Sequence, residues 1–299
     1  MKNTALKGGI LVALGASSYG MLTTFVKMAY EEGFTTYEVT FAQLFTGFLG
    51  LVILNLFYKG RNKKTQVAPA SKKSILKLII AGSSLGLTSI FYYLAVQYIT
   101  VSIGIVLLMQ SVWMGVALDA VIQKQKPTAL KILAVVIILI GTLLATNVLF
   151  ENFELDIRGI LFGLLAAASY TITIYSSNTV STELPSMVRS KWMMLGGLII
   201  VSAITLPTLV QGFNLEIFYF WGPLLAVFGT ILPPLFLTTG MPKLNVGIGV
   251  IITSIELPVA VCMAYLLLNE VVILPQWLGI VLILLSIVVM NLKTAKKAL

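Results

Sequence analysis

The sequence contains no histidine and one cysteine, and only 10% of its 299 residues are charged. Without histidine the chain lacks the commonest metal ligand and the commonest general base. The single cysteine, Cys262, cannot form an intrachain disulfide. A water-soluble domain usually carries about 25% charged residues. With 58% apolar residues and a mean hydropathy of +1.00, this chain is not a soluble enzyme, a disordered chain or a secreted disulfide scaffold.

The apolar residues fall into ten stretches of about 20 residues, which is the length of a helix that crosses a bilayer. No connection between them is long enough to hold a soluble domain, so the function must lie within the helical bundle. We therefore predict an all-α membrane protein. Its ten transmembrane helices are predicted at 6–26, 37–57, 74–96, 101–122, 131–149, 159–177, 192–210, 218–239, 246–268 and 276–292.

The basic residues indicate how the chain is oriented in the membrane. If the N-terminus is inside, all of the 20 lysines and arginines except Lys27 and Arg158 fall at the inner ends of the spans. Because positive charge concentrates on the cytoplasmic side, we predict a multi-pass protein of the plasma (inner) membrane with both termini cytoplasmic. The basic run 59–77 is interpreted as a topology determinant facing anionic lipid headgroups, and no nucleic-acid partner is predicted.

A weak internal repeat divides the chain into two halves. Shifted by 145 residues, 100–144 lies on 245–289 without a gap, and a shift of 151 aligns the first span with the sixth. Each half, 1–150 and 151–299, holds five predicted spans. Since five is odd, the second half must enter the membrane from the opposite side, which makes two inverted five-helix repeats. Secondary transporters are commonly built this way, with a substrate site at the midplane between the halves.

Several spans carry small or polar residues at helical spacing. Small residues there favour close helix packing, because they let two backbones approach. Larger polar side chains each need a partner or water inside the bundle, and they are interpreted either as packing contacts or as the lining of a cavity. The substrate-binding candidates are Gln43, Tyr93 and Tyr170, followed by Tyr19, Gln110 and Trp113.

Apart from Glu38, the second residue of its span, two carboxylates lie inside the predicted spans. Asp119 is about one turn from an inner end, where it either pairs with Lys124 or Lys126 at the interface or takes part in coupling. Glu256 is near the middle of the ninth span. A charge at the bilayer centre costs about 2.5–3.5 kcal/mol or more, so such a residue is a functional candidate. Glu256, and after it Asp119, are the proton-coupling candidates; the alternative for Glu256 is a protonated side chain bonded to a neighbouring helix.

Prolines interrupt the eighth and ninth spans. Pro233, Pro234 and Pro258 each remove a backbone donor and kink the helix. The sequence leaves open whether these are static kinks or hinges for alternating access.

The second half carries the pattern that is most informative about family. A glycine-rich helix start is followed by Glu256, Pro258, an apolar run and the pair Asn269 and Glu270. With ten spans, a five-plus-five duplication and cytoplasmic termini, the chain resembles the EamA type of the drug/metabolite transporter superfamily. That family usually ends such a run with Gly-Glu, whereas Asn269 stands here in place of the glycine.

The first half departs further from this pattern. Trp113 stands where the second half has Pro258, and Gln125 stands where it has Glu270. The resemblance implies a secondary transporter, often an exporter of metabolites, amino acids or drug-like compounds.

We therefore predict a transporter of a small-molecule solute that works by alternating access, either coupled to protons or exchanging solutes, in contact with membrane lipids. No metal or cofactor is predicted. The alternatives are a membrane-embedded enzyme acting on a lipid-linked substrate and a non-transporting scaffold. An enzyme of that kind usually needs clustered acids, histidine or metal ligands, and isolated carboxylates without histidine argue against it.

Overall fold

The computed structural model describes residues 2–61, 70–150 and 156–297, and this part of the chain is helical and contains no strand. Short 3₁₀ turns lie at Val148–Phe150, Leu215–Phe218 and Met241–Lys243, and a π-helical turn at Val227–Ile231. The helices are α1 Lys2–Glu31, α2 Thr36–Arg61, α3 Lys72–Val96, α4 Val101–Leu108, α5 Ser111–Gln123, α6 Ala129–Ala145, α7 Ile157–Thr179, α8 Ser186–Leu209, α9 Trp221–Ala226, α10 Leu232–Gly240, α11 Val246–Thr253, α12 Glu256–Leu267 and α13 Leu274–Lys297.

Eight helical segments of the described chain are long and apolar enough to cross a bilayer, and two shorter apolar helices, Ala129–Ala145 and Leu274–Val289, accompany them. Each of the ten predicted stretches falls on one of these segments, so the prediction of an all-helical membrane protein is confirmed. The first stretch was predicted to end at 26, but α1 continues to Glu31. Two predictions involve residues outside the described part of the chain. One is the basic run 59–77, of which 62–69 are not described, and the other is the boundary between the halves at 150/151.

The two ends of the bundle carry opposite charges. At the end where α1 begins, called the basic end, lie Lys7, Lys124, Lys131 and Lys243, and Gly8 packs directly against Lys243. The opposite end, called the acidic end, holds Glu31, Glu32, Glu216 and Glu270. There, Trp221 Nε1 donates a hydrogen bond of 2.6 Å to Glu32.

Two helical spans are interrupted, and the interruptions fall at equivalent positions of the repeat. The fourth span breaks between α4 and α5, and the ninth breaks between α11 and α12. The 145-residue shift places Ser111, where α5 begins, on Glu256, where α12 begins. It also places Lys124 on Asn269, and both adopt positive φ, 51° and 53°. The two halves therefore share their backbone irregularities as well as their helices.

Side chains satisfy the carbonyl groups that these breaks release. In the first half, Gln110 Nε2 donates to the carbonyl oxygen of Val106 at 3.0 Å. In the second half, Ser254 Oγ donates to the carbonyl oxygen of Ile251 at 2.7 Å. Val106 and Ile251 are equivalent under the 145-residue shift. Since a bilayer offers no water to a freed backbone group, partners of this kind are needed wherever a spanning helix is broken.

Pro258 explains the break in the second half. It is the third residue of α12, where a missing N–H is tolerated. The carbonyl of Ser254, which a continuous helix would pair with residue 258, accepts instead from the N–H of Leu257 at 3.3 Å. The first half has no proline there, so its break depends on other contacts.

The tandem prolines of the eighth span produce a π turn rather than a gap between helices. Leu232 N–H donates to the carbonyl of Val227 across Val227–Ile231, and the next donor in this pattern would be Pro233, which has no N–H. The carbonyl of Phe228 is thereby released, and Ser18 Oγ of α1 donates to it at 2.8 Å. Packing between α1 and α10 places this hydroxyl where the carbonyl needs it.

Glycines are placed where α3 and α8 pack most closely. A methyl group at Gly82 would overlap the carbonyl of Met193, and one at Gly196 would overlap the carbonyl of Ile79. The prediction that small residues at helical spacing allow close helix packing is confirmed for α3 and α8.

Replacing Ser18 with alanine is expected to destabilise the bundle, because the buried carbonyl of Phe228 loses its donor. The expected loss is about 1 kcal/mol, within the range for an unsatisfied buried polar group and near the values measured in membranes. It should appear as a fall of about 2–4 °C in the melting temperature of the purified protein. Ser17→Ala, on the adjacent residue, is the matched control, and an equal fall in both variants would contradict this account.

Candidate functional site

A cavity of about 590 Å³ lies between α4 and α12. It reaches the partly exposed side chains Lys27 and Glu270 at the acidic end, whereas none of the basic-end lysines belongs to its lining. Its walls come from α1, α2, α3, α4, α6, α7, α8, α12 and α13, the π turn and the connection after α12. The cavity is thus bounded by both halves of the chain and approached from the acidic end.

Glu256 lies at the deep end of this cavity as the first residue of α12. Tyr170 of α7 donates its hydroxyl to Glu256 Oε2 at 3.1 Å. Tyr19 of α1 meets the Tyr170 ring edge to face, with ring centres 6.3 Å apart. The hydroxyl of Tyr19 is buried and has no hydrogen-bond partner among the described residues. An unsatisfied buried hydroxyl next to a carboxylate is a group that a bound ligand can engage.

Close packing of α1 on α12 positions Glu256. A methyl group at Gly20 would overlap the carbonyl oxygen of Glu256 and approach Val259 Cβ to 2.9 Å. Only glycine lets the two backbones come this close, so Gly20 determines where α12 begins relative to Tyr19.

The structure brings together four of the six predicted substrate-binding residues. Gln43, Tyr93, Tyr170 and Tyr19 all line the cavity with Glu256. Each comes from a different helix, which no spacing in the sequence could show.

Gln110 and Trp113 lie outside the cavity lining. Trp113 is 44% exposed on the membrane-facing surface, and its Nε1 donates to Gln110 Oε1 at 3.0 Å. The other end of the Gln110 side chain bonds to the carbonyl of Val106, as described above. The structure therefore shows these two residues supporting the α4–α5 break.

Asp119 lies at the basic end and not in the cavity. Its carboxylate accepts from Lys131 Nζ at 2.6 Å and from Gln123 Nε2 at 2.6 Å, and the residue is 3% exposed. Pairing was predicted with Lys124 or Lys126, and the partner is Lys131 instead, since α6 packs beside α5. The carboxylate also faces Gly247 at the start of α11, where a helix N-terminus favours negative charge.

Lys27, Tyr30 and Glu270 line the cavity without having been predicted as site residues. Lys27 and Glu270 form an ion pair at the cavity entrance. Along α1, Lys27 and Tyr30 follow Gly20 and Thr23 at spacings of three or four residues, so all four lie on one face of the helix. The first predicted span ends at 26, so Lys27 and Tyr30 fall outside it.

The basic end is closed by α5 and α11. Under the 145-residue shift these helices correspond to α12 and α4, which lie on either side of the cavity. There α5 packs on α11, and a methyl group at Gly115 would overlap Val250. Arg189 of α8 is also buried there. It donates to the carbonyl oxygens of Thr238 at 2.7 Å and Ser177 at 2.8 Å, which ties the ends of α10 and α7 together.

These features define a multi-pass membrane protein with an internal repeat and a central cavity. The chain belongs to the EamA-like transporter family, whose model matches residues 6–147 and 157–292. The resemblance drawn from the sequence is therefore confirmed. The two matched segments show the two-repeat architecture directly.

Comparison with solved structures supports the same fold. A crystal structure described only as that of a protein superposes with a TM-score of 0.76 at 12% identity, covering 97% of this chain and 98% of that one. At this identity the likeness concerns the fold alone. No curated protein matches the chain in sequence.

Enlarging Gly20 is expected to push the start of α12 away from α1 and to destabilise the protein. Gly20→Val should cost about 1–3 kcal/mol, as overpacking usually does, and lower the melting temperature accordingly. Gly212→Val is the matched control, because nothing lies within 4 Å of a side chain added there. A Gly20→Val protein as stable as the control would show that α1 and α12 are not in close contact.

Proposed function

We propose that the protein is a secondary transporter that moves a small solute across the plasma membrane by alternating access. In this proposal the ten helical segments all cross the membrane, and residues 1–150 and 151–299 are inverted repeats. The observation that carries it is the unequal state of two equivalent helix pairs: α4 and α12 part around a cavity, whereas α11 and α5 are packed. Family membership favours transport over the enzyme and scaffold alternatives.

The repeat relates the open and closed pairs residue by residue. Gly115 and Val250 are in contact at the basic end. The 145-residue shift places Gly115 on Ala260 and Val250 on Ile105, and both of these line the cavity. If the halves exchange conformations, Ile105 closes on Ala260 while Gly115 separates from Val250. The second conformation then opens the same site toward the basic end.

The charge distribution supports an orientation for this cycle. Lysines and arginines collect at the basic end and carboxylates at the acidic end, and positive charge favours the cytoplasmic side. We assign the basic end and both termini to the cytoplasm, so the cavity described here faces outward. Export is the direction that the family resemblance implies.

Glu256 is the best-placed group to couple transport to protons. Of the charged residues in the cavity lining, Lys27 and Glu270 neutralise each other, and Glu256 accepts, among the described residues, a hydrogen bond from the hydroxyl of Tyr170. Asp119 is paired with Lys131 and lies outside the cavity. A carboxylate at a site with alternating access can load a proton on one side and release it on the other. Pro258 in the first turn of α12, with Pro233 and Pro234 beside the π turn, are the hinge candidates.

Covalent closure of the cavity entrance should stop transport. In a Cys262→Ala background, Ile105→Cys combined with Ala260→Cys should form a disulfide when the outer side closes, because the repeat brings these positions together. Solute flux into vesicles should then fall to the level of empty vesicles and recover after reduction. Each single cysteine variant is the control. Full flux through completely cross-linked protein would contradict alternating access at this pair.

Glu256→Gln is expected to abolish proton-driven accumulation, because glutamine preserves shape and hydrogen bonding but cannot titrate. The solute for this assay is chosen by thermal stabilisation from amino acids, nucleosides and cationic drugs, since a bound ligand raises apparent stability. Accumulation in vesicles with an imposed pH gradient is the measurement. Unchanged accumulation with unchanged pH dependence would make Glu256 structural and would direct attention to Asp119.

A further inference from the structure

We propose that the cavity is built for a monovalent organic cation with an apolar body, whose positive charge is held by Glu256. The inference names the solute class and therefore rests on the proposed function for its biological meaning. Its structural basis is separate, because it depends on the charges and rings of the cavity wall and not on any movement.

The charge balance of the cavity favours a cation. Lys27, Glu256 and Glu270 are the charged residues in its described lining. Since Lys27 and Glu270 pair with each other at the entrance, Glu256 is the carboxylate without a cationic partner. A solute that brings one positive charge would compensate it, whereas an anion would meet a carboxylate with no free cation opposite.

Two other enclosed cations of the described residues, the buried Arg189 and the partly buried Lys131, have partners outside the cavity. Arg189 donates to backbone carbonyls near the basic end, and Lys131 pairs with Asp119 there. Neither belongs to the cavity lining. A zwitterionic amino acid would therefore satisfy Glu256 with its ammonium group but leave its own carboxylate without a positive partner.

Aromatic rings supply the second observation. Tyr19 and Tyr170, beside Glu256, meet edge to face with ring centres 6.3 Å apart. Tyr92 and Tyr93 of α3 also meet edge to face, with ring centres 6.1 Å apart. Rings arranged around a carboxylate attract organic cations through their negative faces, as aromatic cages do for quaternary ammonium groups. The tyrosines of the lining are Tyr19, Tyr30, Tyr92, Tyr93 and Tyr170.

The remaining wall suits an apolar body. Leu22, Leu85, Ile105, Leu108 and Leu257 face the same space, and a volume of about 590 Å³ lies within the range that holds a drug-sized molecule. Thus the charged group of the solute would meet a carboxylate and tyrosines, and its body would meet aliphatic side chains.

The test compares probes of the same shape and different charge. Binding of 4-hydroxyphenyltrimethylammonium, of its neutral isostere 4-tert-butylphenol, of 4-hydroxybenzenesulfonate and of tyrosine is measured by calorimetry on the full chain in detergent. The cation is expected to bind at least about 10-fold more tightly than each of the others, which corresponds to about 1.4 kcal/mol. Equal or tighter binding of the neutral probe, the anion or the zwitterion would overturn the proposal.

Variants locate the binding determinants. Glu256→Gln should weaken cation binding at least about 10-fold and remove the preference over 4-tert-butylphenol, whereas Glu256→Asp should keep that preference. Tyr92→Leu should weaken binding about 2- to 30-fold, the range of a cation–π contact. Two control variants should leave cation binding unchanged. Glu216→Gln removes a carboxylate at the acidic end, and Tyr265→Leu removes a tyrosine of α12; neither residue belongs to the cavity lining.

The outcomes separate this proposal from the transport proposal. Selective cation binding that depends on Glu256, without flux in vesicles, would support the solute class and overturn transport. Flux of a neutral solute that survives Glu256→Gln would support transport and overturn the proposed solute class. If Glu256→Gln does not fold, the probe comparison on the unaltered protein and Tyr92→Leu still decide, and loss of the charge preference in that comparison refutes the inference.

Discussion

The bilayer core supplies no hydrogen-bond partner to a backbone group, and the site depends on how the protein meets that constraint at two broken helices. At both breaks a side chain takes the released carbonyl, Gln110 for Val106 and Ser254 for Ile251. Because these carbonyls are satisfied, α12 can begin inside the membrane, and its first residue can be a carboxylate. Without the break, Glu256 would lie within a continuous apolar helix and not at the start of α12.

Hydropathy alone located all ten helical segments, because each is a long apolar run between polar connections. It could not locate the α4–α5 break, since no proline marks that position and Trp113 stands where Pro258 stands in the other half. The internal repeat is the signal that could have found it. Once Pro258 predicts an interruption in the ninth span, the 145-residue shift transfers that interruption to the fourth.

Prediction of the site depended on whether a polar residue had a local partner. Tyr19 and Tyr170 have none on their own helices, and both line the cavity. Gln110 also lies in an apolar span, but its partners are the carbonyl of Val106 and the indole of Trp113 a turn away. A sequence does not distinguish these situations, because helical spacing gives the direction of a side chain and not what lies opposite. The Lys27–Glu270 pair joins residues far apart in the chain and was beyond such reasoning.

The ion pair between Asp119 and Lys131 has a consequence for the affinity with which each side of the membrane presents the site. Under the 145-residue shift these residues correspond to Ala264 and Gln276, so the ion pair has no charged counterpart at the equivalent positions of the second half. In the proposed cycle this asymmetry makes the two end states unequal in free energy, and we expect it to favour the outward-facing one. A solute that must first wait for a minor conformation binds with reduced apparent affinity. Half-saturation should thus need more solute from the cytoplasmic side, while the equilibrium distribution of solute stays independent of this bias.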